Sequence, residues 1–119
     1  MADHNDLGKL GEEMAVSFLQ EAGYAILETN FVFQKAEIDI IAKKDNVLAV
    51  VEVKTRSSVE FGSPQDFVNP KKIKLLVKAI DEYVIKNDFD FDIRFDIIAV
   101  HKNANDFIIE HLEDAFYHF

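Results

Sequence analysis

The sequence contains no cysteine, so disulfide bridges, thiolate metal sites and cysteine nucleophiles are all excluded. Tryptophan is absent as well, and proline and glycine are scarce, at two and four residues. No repeat, low-complexity tract or linker-like stretch interrupts the chain. No apolar run approaches the roughly 20 residues that a membrane span needs. The first residues, Met1 to Lys9, are polar and acidic and lack the basic-then-apolar pattern of a signal peptide. Cytoplasm is therefore the expected compartment. Positive charge is also in short supply. Thirteen Lys and Arg face 22 Asp and Glu, and the net charge of −9 argues at first against a nucleic-acid partner.

What is present suits one ordinary globular domain spanning residues 1–119. The chain is 49% hydrophobic and 29% charged, and its eleven Phe predict an aromatic-rich core. The distribution of charge says more than its sum. Residues 1–42 and 87–119 each carry two basic and eight acidic side chains, whereas residues 43–86 carry nine basic and six acidic. A basic island thus lies between two acidic flanks, which suits a local anionic partner.

Apolar residues recur at helical spacing from Asp6 to Ala22, with Asp6 as the cap and Gly23 as the stop. Ile- and Val-rich strands follow at Tyr24 to Phe33, Glu37 to Lys43 and Val47 to Thr55. A polar stretch from Ser57 to Val68 is long enough to suggest a functional loop. Asn69 as N-cap and Pro70 in the first turn open a second helix, with Ile73, Leu76, Val77, Ile80 and Val84 as its stripe. Strands at Ile93 to His101 and Phe107 to His111 complete the sheet, and a last helical turn is predicted over Glu113 to Tyr117. The order α-β-β-β-α-β-β predicts an α/β fold, a mixed five-stranded sheet with helices packed on it.

A two-residue turn at Asp45-Asn46 would pair the second and third strands so that Asp39 faces Glu52 and Glu37 faces Lys54. With period-two alternation all four share one face, and Ile38, Ile40, Ala42, Val47, Ala49, Val51 and Val53 form the core face. Directly opposed carboxylates repel. Such a pair is expected to hold a hard cation, Mg²⁺ or Mn²⁺, and Lys54 would add an ammonium to the pocket. The combination suits activation of water against a phosphodiester. Taken alone, Glu52-Val53-Lys54 also fits an ordinary solvated strand face, because an acid-x-Lys triplet comes cheaply in so charged a chain.

On the first helix Glu12 lies at the edge of the apolar stripe, with Gly8 leaving room beside it, and could equally be a rim residue in a surface ion pair. On the second, Lys71, Lys74 and Lys78 share one flank and Lys72 lies on the other. That stripe suits either phosphate contacts or solvation. Arg56, just beyond Lys54, is a natural phosphate contact. The four histidines show no metal-ligand spacing, and no glycine-rich phosphate loop exists.

Together these pieces resemble the YraN-type proteins, a group of small bacterial proteins related to Holliday-junction resolvases. The resemblance runs through Gly8-Lys9-Leu10-Gly11-Glu12-Glu13-Met14-Ala15, Gly23-Tyr24, Asn30, Glu37-Ile38-Asp39-Ile40-Ile41-Ala42 and Val51-Glu52-Val53-Lys54-Thr55-Arg56. It continues through Phe61-Gly62, Pro64, Val68, Lys72, Arg94-Phe95-Asp96 and Asp114-Ala115-Phe116. It implies a restriction-endonuclease-like, PD-(D/E)xK fold. By that resemblance Asp39 and Glu52 would be metal ligands, the Val53 carbonyl a further ligand, Lys54 the catalytic lysine and Glu12 the helical acid of resolvase-like members. Two positions depart from the family pattern: Ala36 stands where Gly is usual, and Val32 where Arg is usual.

The leading expectation is a metal-dependent nuclease acting on DNA, branched or otherwise structured forms included. Arg56, Lys71, Lys72 and Lys74 would grip the backbone. The rivals are a non-cleaving nucleic-acid-binding module on a nuclease fold and a protein-interaction domain, the latter favoured by the acidic flanks. The sequence neither requires nor excludes a homodimer.

Overall fold

A computed structural model describes residues 4–57 and 69–116, with the elements α1 (His4–Glu21), β1 (Ala25–Phe33), β2 (Ala36–Lys44), β3 (Val47–Arg56), α2 (Pro70–Asn87), β4 (Asp92–Asn103) and β5 (Asp106–Leu112). The strands form one sheet in the order β1-β2-β3-β4-β5. All neighbours are antiparallel except β3 and β4, which α2 joins as a parallel crossover unit. This is the α/β order and mixed sheet expected of a restriction-endonuclease-like domain.

Local chemistry sets the helix ends. α1 begins two residues before Asp6, which lies in its first turn rather than capping it. Gly23 ends α1 with φ +97, and the Tyr24 N–H returns to Leu19 O at 2.9 Å. Asn69 caps α2 as predicted, its side chain accepting from the Lys72 N–H at 2.8 Å, with Pro70 in the first turn. Asp88 closes that helix in the left-handed region. The turn expected over Glu113 to Tyr117 is not helical through Phe116, and Tyr117 lies outside the described residues. So does 58–68, most of the predicted functional loop, including Phe61-Gly62, Pro64 and Val68.

The helices cover opposite faces of the sheet. Leu76, Ala79, Ile80 and Tyr83 of α2 pack with Ile41, Leu48, Val50, Phe95 and Ile97. Ala15 and Leu19 of α1 pack with Ile40, Ala42, Ala49, Val51, Ile98 and Val100. Both faces are therefore core, which corrects the expectation of one buried face and one polar face. Strands buried on both sides read as nearly continuous apolar runs, and this is why β3 and β4 are so rich in Val and Ile. Gly11 brings α1 close to the sheet: a Cβ there would overlap Thr55 Oγ1, whereas a Cβ at Gly8 would meet nothing within 4 Å. No helix of the described residues is long and apolar enough to cross a membrane.

One irregularity positions the site. Ile40 packs under α1, but Ile38 packs in the α2 layer, so strict alternation breaks at Asp39. In β1 the residue at the same level is Asn30, held at φ +53 between the pairs Thr29/Ile40 and Phe31/Ile38. Both strands change face there. The backbone at Ala36 is not left-handed; the positive φ of this turn is at Gln34, and Ala36 is buried in the α2-side core. Alanine in place of glycine thus supplies a packed methyl without backbone strain. Val32 is exposed on the edge strand, 63% accessible.

Candidate active site

The predicted turn and register hold from Lys44/Val47 to Ile40/Val51. Beyond that pair the ladder opens. Asp39 does not simply face Glu52; its Oδ2 accepts from the Val53 N–H at 2.8 Å, a bond the neighbouring strand would otherwise make. The carboxylate is thereby inserted between the strands, half-buried. Glu52 lies on the same strand as Val50, under α2, and is only 5% exposed. Its Oε1 pairs with Lys72 Nζ at 3.1 Å. Its Oε2 is buried with no hydrogen-bond partner among the described residues.

Glu12, Asp39, Glu52, Val53, Lys54 and Lys72 line one cleft of about 430 Å³, together with Lys35, Ala36, Glu37, Leu75 and Leu76. The sequence-predicted site residues of α1, β2 and β3 thus converge. Glu37 departs from expectation. With alternation broken at Asp39, its carboxylate comes to the Asn30 amide beside Glu12. Oriented with its nitrogen towards both acids, the Asn30 amide donates to Glu37 Oε2 at 3.1 Å and Glu12 Oε1 at 3.2 Å. Lys72, expected on a helix flank, reaches into the cleft. Lys71 and Lys74 stay exposed on α2 and do not line it. Arg56 is half-buried at the end of β3, donating to Thr55 O at 3.3 Å.

The electrostatics follow from burial and crowding. Burial and then the Asp39 charge push the Glu52 carboxyl up to about 7, against the pull of Lys72. Asp39 is raised by burial although the Val53 N–H and Lys72 favour its charged form. Glu12 is raised by burial and by Asp39 and Glu37, with the Asn30 hydrogen bond opposing. Lys54 is lowered by burial and by the charges of Lys72 and Arg56. The site therefore holds three acids that resist ionisation beside a lysine amine that resists protonation.

The donor set fits a small hard cation. Among the described residues no cluster of three or more His, Cys, Asp or Glu side chains is built to hold a metal alone. Mg²⁺ does not require one, because it retains waters and commonly takes one or two carboxylates together with phosphate oxygens. Asp39 and the orphaned Oε2 of Glu52 meet that description.

Sequence reading missed Asn30 as a site residue and missed the inward turn of Lys72. A polar, low-β-propensity Asn in mid-strand was the available signal for the first. For the second, position 72 on a helix whose register was known could have been tested against the sheet.

Comparison with known proteins agrees with the resemblance read from the motifs. Residues 11–100 match the uncharacterised protein family UPF0102. The chain is 71% identical to a UPF0102 protein of Flavobacterium psychrophilum over 100% of both chains. It is 59% identical to one of Flavobacterium johnsoniae, again over 100% of both. A UPF0102 protein of Phocaeicola vulgatus is 45% identical over 98% of this chain and 97% of its own. The protein belongs to the UPF0102 family, the YraN-type group that its own motifs indicate.

Proposed function

We propose that the protein is a cytoplasmic, Mg²⁺- or Mn²⁺-dependent nuclease acting on DNA, branched or otherwise structured forms included. The observation that carries this reading is the half-buried Asp39 beside the buried Glu52, whose Oε2 has no hydrogen-bond partner among the described residues. A buried polar atom without a hydrogen bond is costly, and such atoms cluster where function uses them. Asp39, Glu52 and the Val53 carbonyl would hold the cation, which when bound supplies an acidified water and neutralises charge on a phosphate oxygen.

The chain's own residues account for the rest. Lys54 shares the cleft with both acids and offers its ammonium to the negative charge that grows on the phosphate as the bond breaks. Glu12 borders the same cleft and orients water. Arg56, Lys71 and Lys74 contact flanking phosphates, and Lys72 can exchange Glu52 for phosphate. These contacts suit an anionic partner despite the −9 charge, since nine of the thirteen basic residues fall within residues 43–86, the stretch that holds β3 and all but the last residue of α2.

Cleavage of linear, flapped and four-way DNA with Mg²⁺ or Mn²⁺ tests the proposal. Lys54→Ala should abolish turnover while weakening binding only modestly, because its charge is needed mainly in the transition state. Native protein that neither cuts nor binds any of these DNAs at low salt overturns the reading. The Lys72–Glu52 pair at 3.1 Å favours one alternative, a site balanced internally that binds DNA without cutting it. Salt-dependent binding with no cleavage at any metal concentration would select that alternative.

A further inference from the structure

Two pairs of acids meet at the broken point of the sheet, and they are treated differently. At Asp39 and Glu52 one buried oxygen has no hydrogen-bond partner among the described residues. Glu12 and Glu37 converge on a single amide, that of Asn30, at 3.2 and 3.1 Å. A primary amide carries two N–H donors, so one for each carboxylate exhausts it. Asn30 is also the residue whose left-handed backbone marks where β1 and β2 change face, opposite Asp39. Asparagine adopts that conformation more readily than most residues and brings an amide with it.

We propose that Asn30 is a positioning residue that clamps α1 to β2 through Glu12 and Glu37, and so restricts the acidic cleft to one cation, at Asp39 and Glu52. The amide stands where a second cation would otherwise be required to hold two like charges together. It makes Glu12 a fixed acceptor facing the cleft rather than a metal ligand. The stoichiometry rests on the metal-binding reading of the cleft; the clamp does not.

Two variants test it without relying on cleavage. Asn30→Asp keeps the shape and the tolerance of left-handed backbone but replaces the donor by a third carboxylate beside Glu12 and Glu37. Calorimetric titration with Mn²⁺ should find one ion per native chain and two per Asn30→Asp chain. Two ions on the native chain, or one on the variant, would overturn the inference. Asn30→Gly keeps the backbone conformation and removes only the amide. Hydrogen exchange at the amides of residues 11–15 should then be at least about fivefold faster than in the native protein without metal. Unchanged exchange overturns the clamp. A native chain that binds no Mn²⁺ defeats the metal reading and the stoichiometry together, and faster exchange in Asn30→Gly would still establish the clamp.

Discussion

Among the described residues two carboxylates are buried, Asp96 and Glu52, and their surroundings are opposite. Asp96 is fully buried, and every side of it is answered. Arg94 donates to it through Nε at 2.9 Å and Nη2 at 2.8 Å, His111 Nε2 lies at 2.9 Å, and the Asp114 N–H donates at 3.0 Å. Arg94 also hydrogen-bonds the Tyr24 hydroxyl. Burial alone would raise Asp96, yet the bonds from His111 and Arg94 and the Asp114 amide win, and its pKa is lowered. Glu52, 5% exposed, has one ion pair and one orphaned oxygen, and burial lifts it to about 7. The same residue chemistry thus serves two ends. Asp96 ties β4 to the start of β1 and the end of β5, whereas Glu52 keeps one buried oxygen without a hydrogen-bond partner among the described residues.

The contrast breaks first at Asp96. Asp96→Ala leaves a half-buried guanidinium and a largely buried imidazole without their acceptor, and should cost about 3–5 kcal/mol in denaturant unfolding. Glu52→Gln should do the reverse in metal-free buffer. It removes a buried charge and should stabilise the protein at pH 8 by up to about 3 kcal/mol. A loss as large as that of Asp96→Ala would erase the distinction between the two sites.

The pH dependences should also oppose one another. The folded protein keeps a proton on Glu52 that the unfolded chain has released. Stability from this group therefore falls as pH rises from about 4.5 to about 7, and is flat above. Asp96, with its pKa lowered, contributes stability that is present above 3.8 and is lost as pH falls through its lower folded value. Unfolding curves across this range for the native chain and Glu52→Gln separate the two, since the variant loses the Glu52 share of the first decline, leaving that of Asp39 and Glu12, and keeps the loss at low pH.

Smaller effects sharpen the picture on α1. Gly11→Ala should destabilise by about 1–3 kcal/mol through its overlap with Thr55, despite alanine's helical advantage. Gly8→Ala meets open space and should stabilise by up to about 1 kcal/mol. Thermal melts of the two variants give opposite signs. Least of all in stability, Lys71→Ala with Lys74→Ala should leave the melting point unchanged. The double variant should weaken binding to every DNA alike and flatten the salt dependence by up to about two contacts' worth of slope.

Much of this was legible in the sequence because its signals are local. The Asn69-Pro70 start of α2, the strand runs and the Asp45-Asn46 turn each follow from a few neighbouring residues, and the turn fixed the register that leads to Asp39 and Glu52. What the sequence concealed depends on long-range packing. Nothing local says that Asn30 bends two strands at once, so Ile38 and Glu37 were assigned to the wrong faces by alternation alone. Asp96 and His111 looked unremarkable because their partnership joins residues fifteen apart across two strands. Lys72 read as surface because a helical wheel has no knowledge of the central strand, β3, whose Glu52 its side chain reaches.

Under the proposed function the Asp39–Glu52 pair takes up a divalent cation. Thermal melts at pH 8 with and without millimolar Mn²⁺, on the native chain and on Asp39→Asn, test it most directly. Because the ion binds only the folded state, the native melting point should rise with Mn²⁺, and Asp39→Asn should remove that rise while costing little stability of its own. A native melting point that does not respond to millimolar Mn²⁺ would contradict the account.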